Sequence, residues 1–120
     1  MKRILIVDDK ASSRELLRTV LEKQGYAVAE AGNGDEALEK VRMETPDLIL
    51  LDLQMPVLNG YEVLGQLRQN AAYATLPVIA LTASAMHGDR EKALAAGFTG
   101  YLTKPVPLSY LRSEIQRLLH

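Results

Sequence analysis

The chain has 120 residues, the length of one domain, whose core can bury roughly two thirds of the surface its unfolded chain exposes. Its 48% apolar and 24% charged residues fit a folded chain, and a formal net charge of −1 without a basic block leaves no footprint for nucleic acid or an anionic membrane. Cysteine is absent, which excludes disulfides and thiolate metal sites; no secretory segment precedes Arg3 and no apolar run approaches the roughly 20 residues a bilayer requires, so a cytoplasmic protein with protein partners is expected.

The first segment, Arg3 to Asp8, carries Ile4-Leu5-Ile6-Val7 and then two acids, which predicts a strand buried on both faces and ending in carboxylates. A helix follows. Ser12-Ser13-Arg14-Glu15 offers a capping box, and Leu16, Leu17, Val20 and Leu21 recur at helical spacing until Gly25. Tyr26 to Glu30 alternates weakly as a shorter second strand, and Asn33 with Glu36 then caps a helix carrying Ala37, Leu38 and Val41 that ends before Pro46. Asp47 to Asp52 is the third strand; Leu48-Ile49-Leu50-Leu51, with no polar alternation, marks the centre of a parallel sheet.

Asn59 with Glu62 opens a third helix with Val63, Leu64 and Leu67 turned inward, and Leu76 to Thr82 is the fourth strand, with Pro77 tolerated at its start. The helix near Gly88 to Ala96 offers the core only alanines and Leu94. At roughly 25 cal/mol per Å² of buried apolar surface it is expected to be held less tightly than its neighbours and to be mobile. Thr99 to Thr103 is a short fifth strand after Gly97, and a last helix started by Pro107 carries Leu108, Leu111, Ile115 and Leu118. Strict alternation predicts an α/β fold, a flavodoxin-like (βα)5 doubly wound parallel five-stranded sheet of order 2-1-3-4-5 with right-handed crossovers. Its switch point falls between strands one and three, where both acidic ends meet.

Asp8, Asp9 and Asp52 are therefore expected to converge at one edge of the sheet. Two unit charges about 4 Å apart repel by roughly 1 kcal/mol in bulk water and about 4 kcal/mol at an effective dielectric near 20, so three need a cation. Mg²⁺ or Mn²⁺, taking carboxylate oxygens, a backbone carbonyl and waters, fits best, because no His or Cys lies near enough to suggest zinc. Lys104 adds a second positive charge and Thr82 a hydroxyl. Such a pocket has the parts to accept a phosphoryl group, with Asp52 attacking in line to give an acyl phosphate. No Walker-type loop or G-x-G-x-x-G follows strand one, so nucleotide binding is not supported. For Asp52 taken alone, a plainer role as cap of the loop Leu53-Gln54-Met55-Pro56 stays open.

Val7-Asp8-Asp9, Leu51-Asp52-Leu53-Gln54-Met55-Pro56, Asn59-Gly60, Leu81-Thr82-Ala83 and Tyr101-Leu102-Thr103-Lys104-Pro105 resemble, in order and over essentially the whole chain, the motif set of the receiver domain of two-component response regulators. That resemblance implies a single receiver domain over residues 1–120. Asp52 would be the phosphoacceptor, with Asp8, Asp9, Asp52 and the Gln54 backbone carbonyl on the metal, Thr82 and Lys104 gripping the phosphoryl oxygens, and the Lys104–Pro105 bond cis. It also implies a switch in which movement of Thr82 is coupled to Tyr101 turning from exposed to buried; from the sequence alone, Tyr101 reads as a half-exposed aromatic on an edge strand. The implied donor is a histidine kinase or histidine phosphotransfer protein. The implied output is a downstream protein meeting the face of the fourth helix, fifth strand and last helix. The domain would promote its own phosphorylation and dephosphorylation rather than act as a turnover enzyme.

Lys10 beside the acid pair, and Asn59 where the family commonly has an acid, depart from the pattern and lower the local negative charge. Gln54 and Ser84 occupy the variable positions that influence phosphate lifetime in the family. His87 and His120 read as solvated, and Met43, Met55 and Met86 as packing or loop residues. A pseudo-receiver that binds partners without phosphorylation is disfavoured by the intact acid set. A small Mg²⁺-dependent phosphohydrolase is disfavoured because 120 residues leave no cap or substrate pocket. Thr82 to Gly97, with Ala83-Ser84-Ala85-Met86 and Gly88-Asp89, faintly resembles receivers of hybrid kinases and stand-alone relays; a stand-alone protein and a domain of a larger regulator both fit.

Overall fold

The computed structural model describes residues 1–84 and 86–119. The solvated reading of His120 and the Ala85 position in the Thr82 to Gly97 stretch lie outside them. Strands β1 (Arg3–Val7), β2 (Ala27–Ala31), β3 (Leu48–Asp52), β4 (Val78–Thr82) and β5 (Gly100–Thr103) form one parallel sheet in the order β2-β1-β3-β4-β5. Between and after them run α1 (Ala11–Lys23), α2 (Gly34–Met43), α3 (Gly60–Gln69), α4 (Asp89–Ala96) and α5 (Leu108–Leu119). The flavodoxin-like order expected from the alternation is thus the observed one. A short 3₁₀ turn at Ala71–Tyr73 is an addition to it.

Side chains alternate across the sheet even though the central strands are apolar on both sides. Leu5, Val7, Ile49, Leu51, Val78 and Ala80 face one cluster, which α2, α3 and α4 close with Val41, Leu64 and Ala93 among others. Ile4, Ile6, Leu48, Leu50, Ile79 and Leu81 face the other, closed by Leu17 and Leu21 of α1 and by Leu111 and Ile115 of α5. Fully burying one such side chain stabilises by about 1.5–3 kcal/mol.

Helix starts follow local chemistry. Asn33 caps α2 by accepting the Glu36 amide, and Asn59 forms a reciprocal capping box with Glu62 at α3. The box expected from Ser12 and Glu15 does not form. α1 already begins at Ala11 with Lys10 as its uncapped N-terminal neighbour, because the Asp8 carboxylate holds the Lys10 amide and turns the chain straight into the helix.

Three leucines assigned to the core lie outside it. Leu16 is 67% exposed, Leu108 50% and Leu94 41%. Helical spacing selects a stripe wider than the sheet can cover, so its flanking members stay in solvent. Leu16 and Leu108 instead line a groove of about 650 Å³ between α1 and the start of α5, together with Val20, Pro105 and Val106. In α4 only Ala93 is buried, and both ends of the helix lie in the left-handed region, at Gly88 and Gly97. Arg68 of α3 ties its C-terminal end down: Nε and Nη2 donate to the Gly97 carbonyl at 3.2 and 2.9 Å, and Nη1 donates to the Tyr73 carbonyl at 2.8 Å. Burial pushes the Arg68 pKa down. Met55 packs into the core, whereas Met43, Met86 and His87 are exposed. Among the described residues no helix is long and apolar enough to cross a membrane.

Candidate functional site

Strand register brings the distant acids together. β1 and β3 pair with Val7 opposite Leu51, so the next residues, Asp8 and Asp52, reach the carboxyl edge side by side. β4 pairs Thr82 with Thr103 of β5, which brings Lys104 to the same edge. In an open α/β sheet this crevice, at the point where strand order reverses, is where ligands bind.

One carboxylate oxygen from each of Asp8, Asp9 and Asp52 lies within 4.8 Å of the others. Asp8, Asp52 and Thr82 are buried, and Asp9 is exposed. Asp8 and Asp52 are held in the same manner. Oδ1 of Asp8 accepts the Lys10 amide at 2.9 Å, and Oδ1 of Asp52 accepts the Gln54 amide at 3.0 Å, each making a short turn that fixes its own loop. Their second oxygens meet Lys104, whose Nζ is 2.7 Å from Asp8 Oδ2 and 3.4 Å from Asp52 Oδ2. One oxygen of Asp52 thus caps its loop while the other faces Lys104.

Burial pushes the Asp52 carboxyl above the usual carboxylate range; the Gln54 amide and Lys104 pull it down, and Asp8 adds to the rise. For Lys104, burial pulls the ammonium down, but the hydrogen bond to Asp8 and the charge of Asp52 outweigh it, and the net direction is up. Three carboxylates form a hard, all-oxygen donor set, which suits Mg²⁺ or Mn²⁺ and not zinc.

Thr82 is positioned differently. Its hydroxyl donates to the Ser84 carbonyl at 3.0 Å and accepts from Gln54 Nε2 at 2.7 Å. The Lys104–Pro105 bond is cis. Tyr101 is only 7% exposed, which corrects the half-exposed reading: β5 is an edge strand, but the side that Tyr101 faces is filled by Ala93 of α4 and by Phe98. Its hydroxyl is buried without a hydrogen-bond partner among the described residues, and burial, then Asp89 and Tyr61, raise its pKa.

Three contributors do more at the site than the sequence indicates. Arg14 appeared only as part of a supposed cap, yet its Nη1 donates to the Asp8 carbonyl at 2.6 Å while its Nε donates to Glu30 at 3.0 Å. Gly60 packs so closely that a Cβ there would stand 2.6 Å from the Asp52 carbonyl oxygen. The side chain of Gln54, as distinct from its backbone, links the loop after β3 to the end of β4.

Comparison with known proteins agrees with this geometry. The family model described as the response regulator receiver domain matches residues 4–116. The transcriptional regulatory protein ResD of Bacillus subtilis is 47% identical over 103 residues, covering 86% of this chain and 42% of its own length. The polar-differentiation response regulator DivK of Brucella anthropi is 40% identical over 118 residues, covering 98% of this chain and 96% of its own. The structure of the chemotaxis protein CheY4 of Vibrio cholerae is similar with a TM-score of 0.91 at 34% identity, covering 99% of both chains. The chain thus spans nearly all of DivK and CheY4 and less than half of ResD.

Proposed function

Since the chain belongs to the response regulator receiver family of two-component signalling, we propose that Asp52 accepts a phosphoryl group from a histidine kinase or a histidine phosphotransfer protein. The observation that carries this reading is the Lys104 ammonium, 2.7 Å from Asp8 and 3.4 Å from Asp52 beside a cluster of three acids.

Asp8, Asp9, Asp52 and the Gln54 backbone carbonyl would hold Mg²⁺. When bound, that ion offsets the negative charge on the transferring oxygens. An Asp52 carboxylate oxygen attacks phosphorus in line. The N–P bond of the donor's phosphohistidine breaks, its electron pair returns to the imidazole, and an O–P acyl phosphate remains on Asp52. Burial, which raises the Asp52 pKa, makes that carboxylate the better nucleophile, and Lys104 stabilises charge on the phosphoryl oxygens. One group is taken per domain, without turnover of an external substrate.

The new charge then biases a two-state equilibrium through charge-assisted hydrogen bonds from Thr82 and Lys104. A shift from mostly inactive to mostly active needs about 5 kcal/mol of differential stabilisation, a sum that a few such bonds supply. The readout is the face of α4, β5 and α5 with Tyr101, met by a downstream protein. Weak anchoring of α4 supports this choice, since Ala93 alone of its residues is buried.

Intact-protein mass after incubation with acetyl phosphate, with and without Mg²⁺, tests the reading on the parent and on Asp52→Asn. A single phosphoryl adduct that requires Mg²⁺ and is missing from the variant is expected. An unmodified parent that also fails to bind beryllofluoride would leave the chain as an interaction module with a receiver fold. Rapid multiple turnover of acetyl phosphate would instead revive the phosphohydrolase.

A further inference from the structure

Gln54 is exposed, yet both ends of its carboxamide are engaged. Nε2 donates to Thr82 Oγ1 at 2.7 Å, and Oε1 accepts the Ala83 amide at 3.1 Å. Thr82 Oγ1 also accepts the Ser84 amide at 3.1 Å and donates its one proton to the Ser84 carbonyl at 3.0 Å. A hydroxyl has one donor and two acceptor positions, and a backbone amide has one donor. Every hydrogen-bonding position of the Thr82 hydroxyl and of the Ala83 amide is therefore occupied. Neither has a donor free for an oxygen arriving on Asp52. The backbone of Gln54 is fixed to that same acceptor, through its amide to Asp52 Oδ1 at 3.0 Å.

A surface glutamine that merely satisfies a nearby loop would need only one of these contacts. Here a single side chain takes up the Ala83 donor and fixes the Thr82 oxygen, whose own proton goes to Ser84, while its backbone is anchored to Asp52. We propose that Gln54 is a positioning residue that latches the phosphoryl-binding groups: its Oε1 occupies the Ala83 amide, its Nε2 tethers the Thr82 oxygen where the hydroxyl proton goes to the Ser84 carbonyl, and it must let go before either group can turn to oxygens carried on Asp52. The inference rests on Asp52 being the phosphoacceptor. Its content is that the ease of loading the site is set by how firmly Gln54 holds β4, separately from the charge of the acid cluster.

Solvent competes for an exposed carboxamide, so the latch has the worth of about one net hydrogen bond. That corresponds to roughly 3- to 10-fold in an equilibrium constant. The test is titration of beryllofluoride, a mimic of a phosphoryl group on a carboxylate, into the parent, Gln54→Ala and Gln54→Met at fixed Mg²⁺, with affinity read by calorimetry. Methionine keeps the length of the side chain and removes its hydrogen bonds; alanine removes both. Tightening of about 3- to 10-fold in both variants is expected. Tightening in Gln54→Ala alone would show mere steric obstruction and overturn the latch. Unchanged or weaker binding in both would overturn it as well, while the parent's own binding kept the phosphoacceptor reading intact. A parent that binds no beryllofluoride would remove that reading and the latch together.

Discussion

Lys104 lies closer to Asp8 than to Asp52, at 2.7 Å against 3.4 Å, and Asp8 is fully buried whereas Lys104 keeps 23% of its side chain exposed. The lysine is first of all the counterion of Asp8, the acid beside Asp52. Lys104→Ala should therefore leave Asp8 without a cation, and a loss of about 3 kcal/mol of stability is expected in chelator, at the lower end of what breaking a buried pair costs. Mg²⁺ should restore more stability to this variant than it adds to the parent, because the ion takes over the vacated role. Urea unfolding of both proteins with and without Mg²⁺ measures it. Equal gains from Mg²⁺ would mean that the lysine and the ion do not share a function.

Gly60 and Gly65 stand in one helix and predict opposite results. A Cβ at Gly60 would lie 2.6 Å from the Asp52 carbonyl oxygen and 2.9 Å from Leu53 Cα, backbone that cannot yield without moving the end of β3. Gly60→Ala is expected to cost about 1–3 kcal/mol and to slow phosphorylation by acetyl phosphate. At Gly65, no other element among the described residues lies within 4 Å of the added atom, so Gly65→Ala should stabilise by about 0.5–1 kcal/mol through helix propensity alone. Thermal or urea denaturation of the two variants, side by side, decides it.

Leu16 and Leu21 occupy the same stripe of α1 by spacing but not by burial, being 67% and 0% exposed. Leu21→Ala should lose about 2–5 kcal/mol, the range for a buried leucine, and Leu16→Ala should stay within about 0.5 kcal/mol of the parent. Similar losses in the two would place Leu16 in the core after all.

Much of this was legible beforehand, for reasons visible in particular residues. Leu48 to Leu51 could only be a strand covered on both faces, and that fixed the centre of the sheet, its order and the meeting of Asp8 with Asp52. Asn33 and Asn59 announced their helices because a cap is a local interaction between residues three apart. Leu16, Leu94 and Leu108 misled because periodicity reports which way a side chain points, not how far the opposing layer extends. The burial of Tyr101 and the grip of Arg14 on the Asp8 carbonyl depend on elements far away in the chain, and no local pattern encodes them.

The sign of the pH dependence follows from Asp52. Its folded pKa is raised by burial, against the pull of the Gln54 amide and Lys104. The native state thus holds that proton more tightly than the unfolded chain does. This stabilisation is complete below the ordinary carboxylate pKa and is lost as pH rises through the raised value. At neutral pH the ionised group opposes folding, and Asp52→Asn should be the more stable protein. The advantage should shrink as the pH is lowered. Glu30 acts in the opposite sense: the Arg18 hydrogen bond, opposed by burial and helped by Arg14, lowers its pKa, so its contribution is present above the ordinary glutamate value and is lost as pH falls through the lowered one. Chemical denaturation across mildly acid to neutral pH, in the parent and in Asp52→Asn, separates the two. A difference between the proteins that grows on acidification would reverse the sign assigned to Asp52.

The bonds from Arg68 to the Gly97 carbonyl make that end of α4 a fulcrum. With 8 residues the helix is a lever arm about 12 Å long, so a rotation of only about 10° about Gly97 sweeps its far end by about 2 Å. Displacement is then greatest near Gly88 and the exposed Met86, and smallest at Phe98, where the chain enters β5. A partner that sensed such a rotation would have the most to read at the N-terminal tip of the arm and the least at its root.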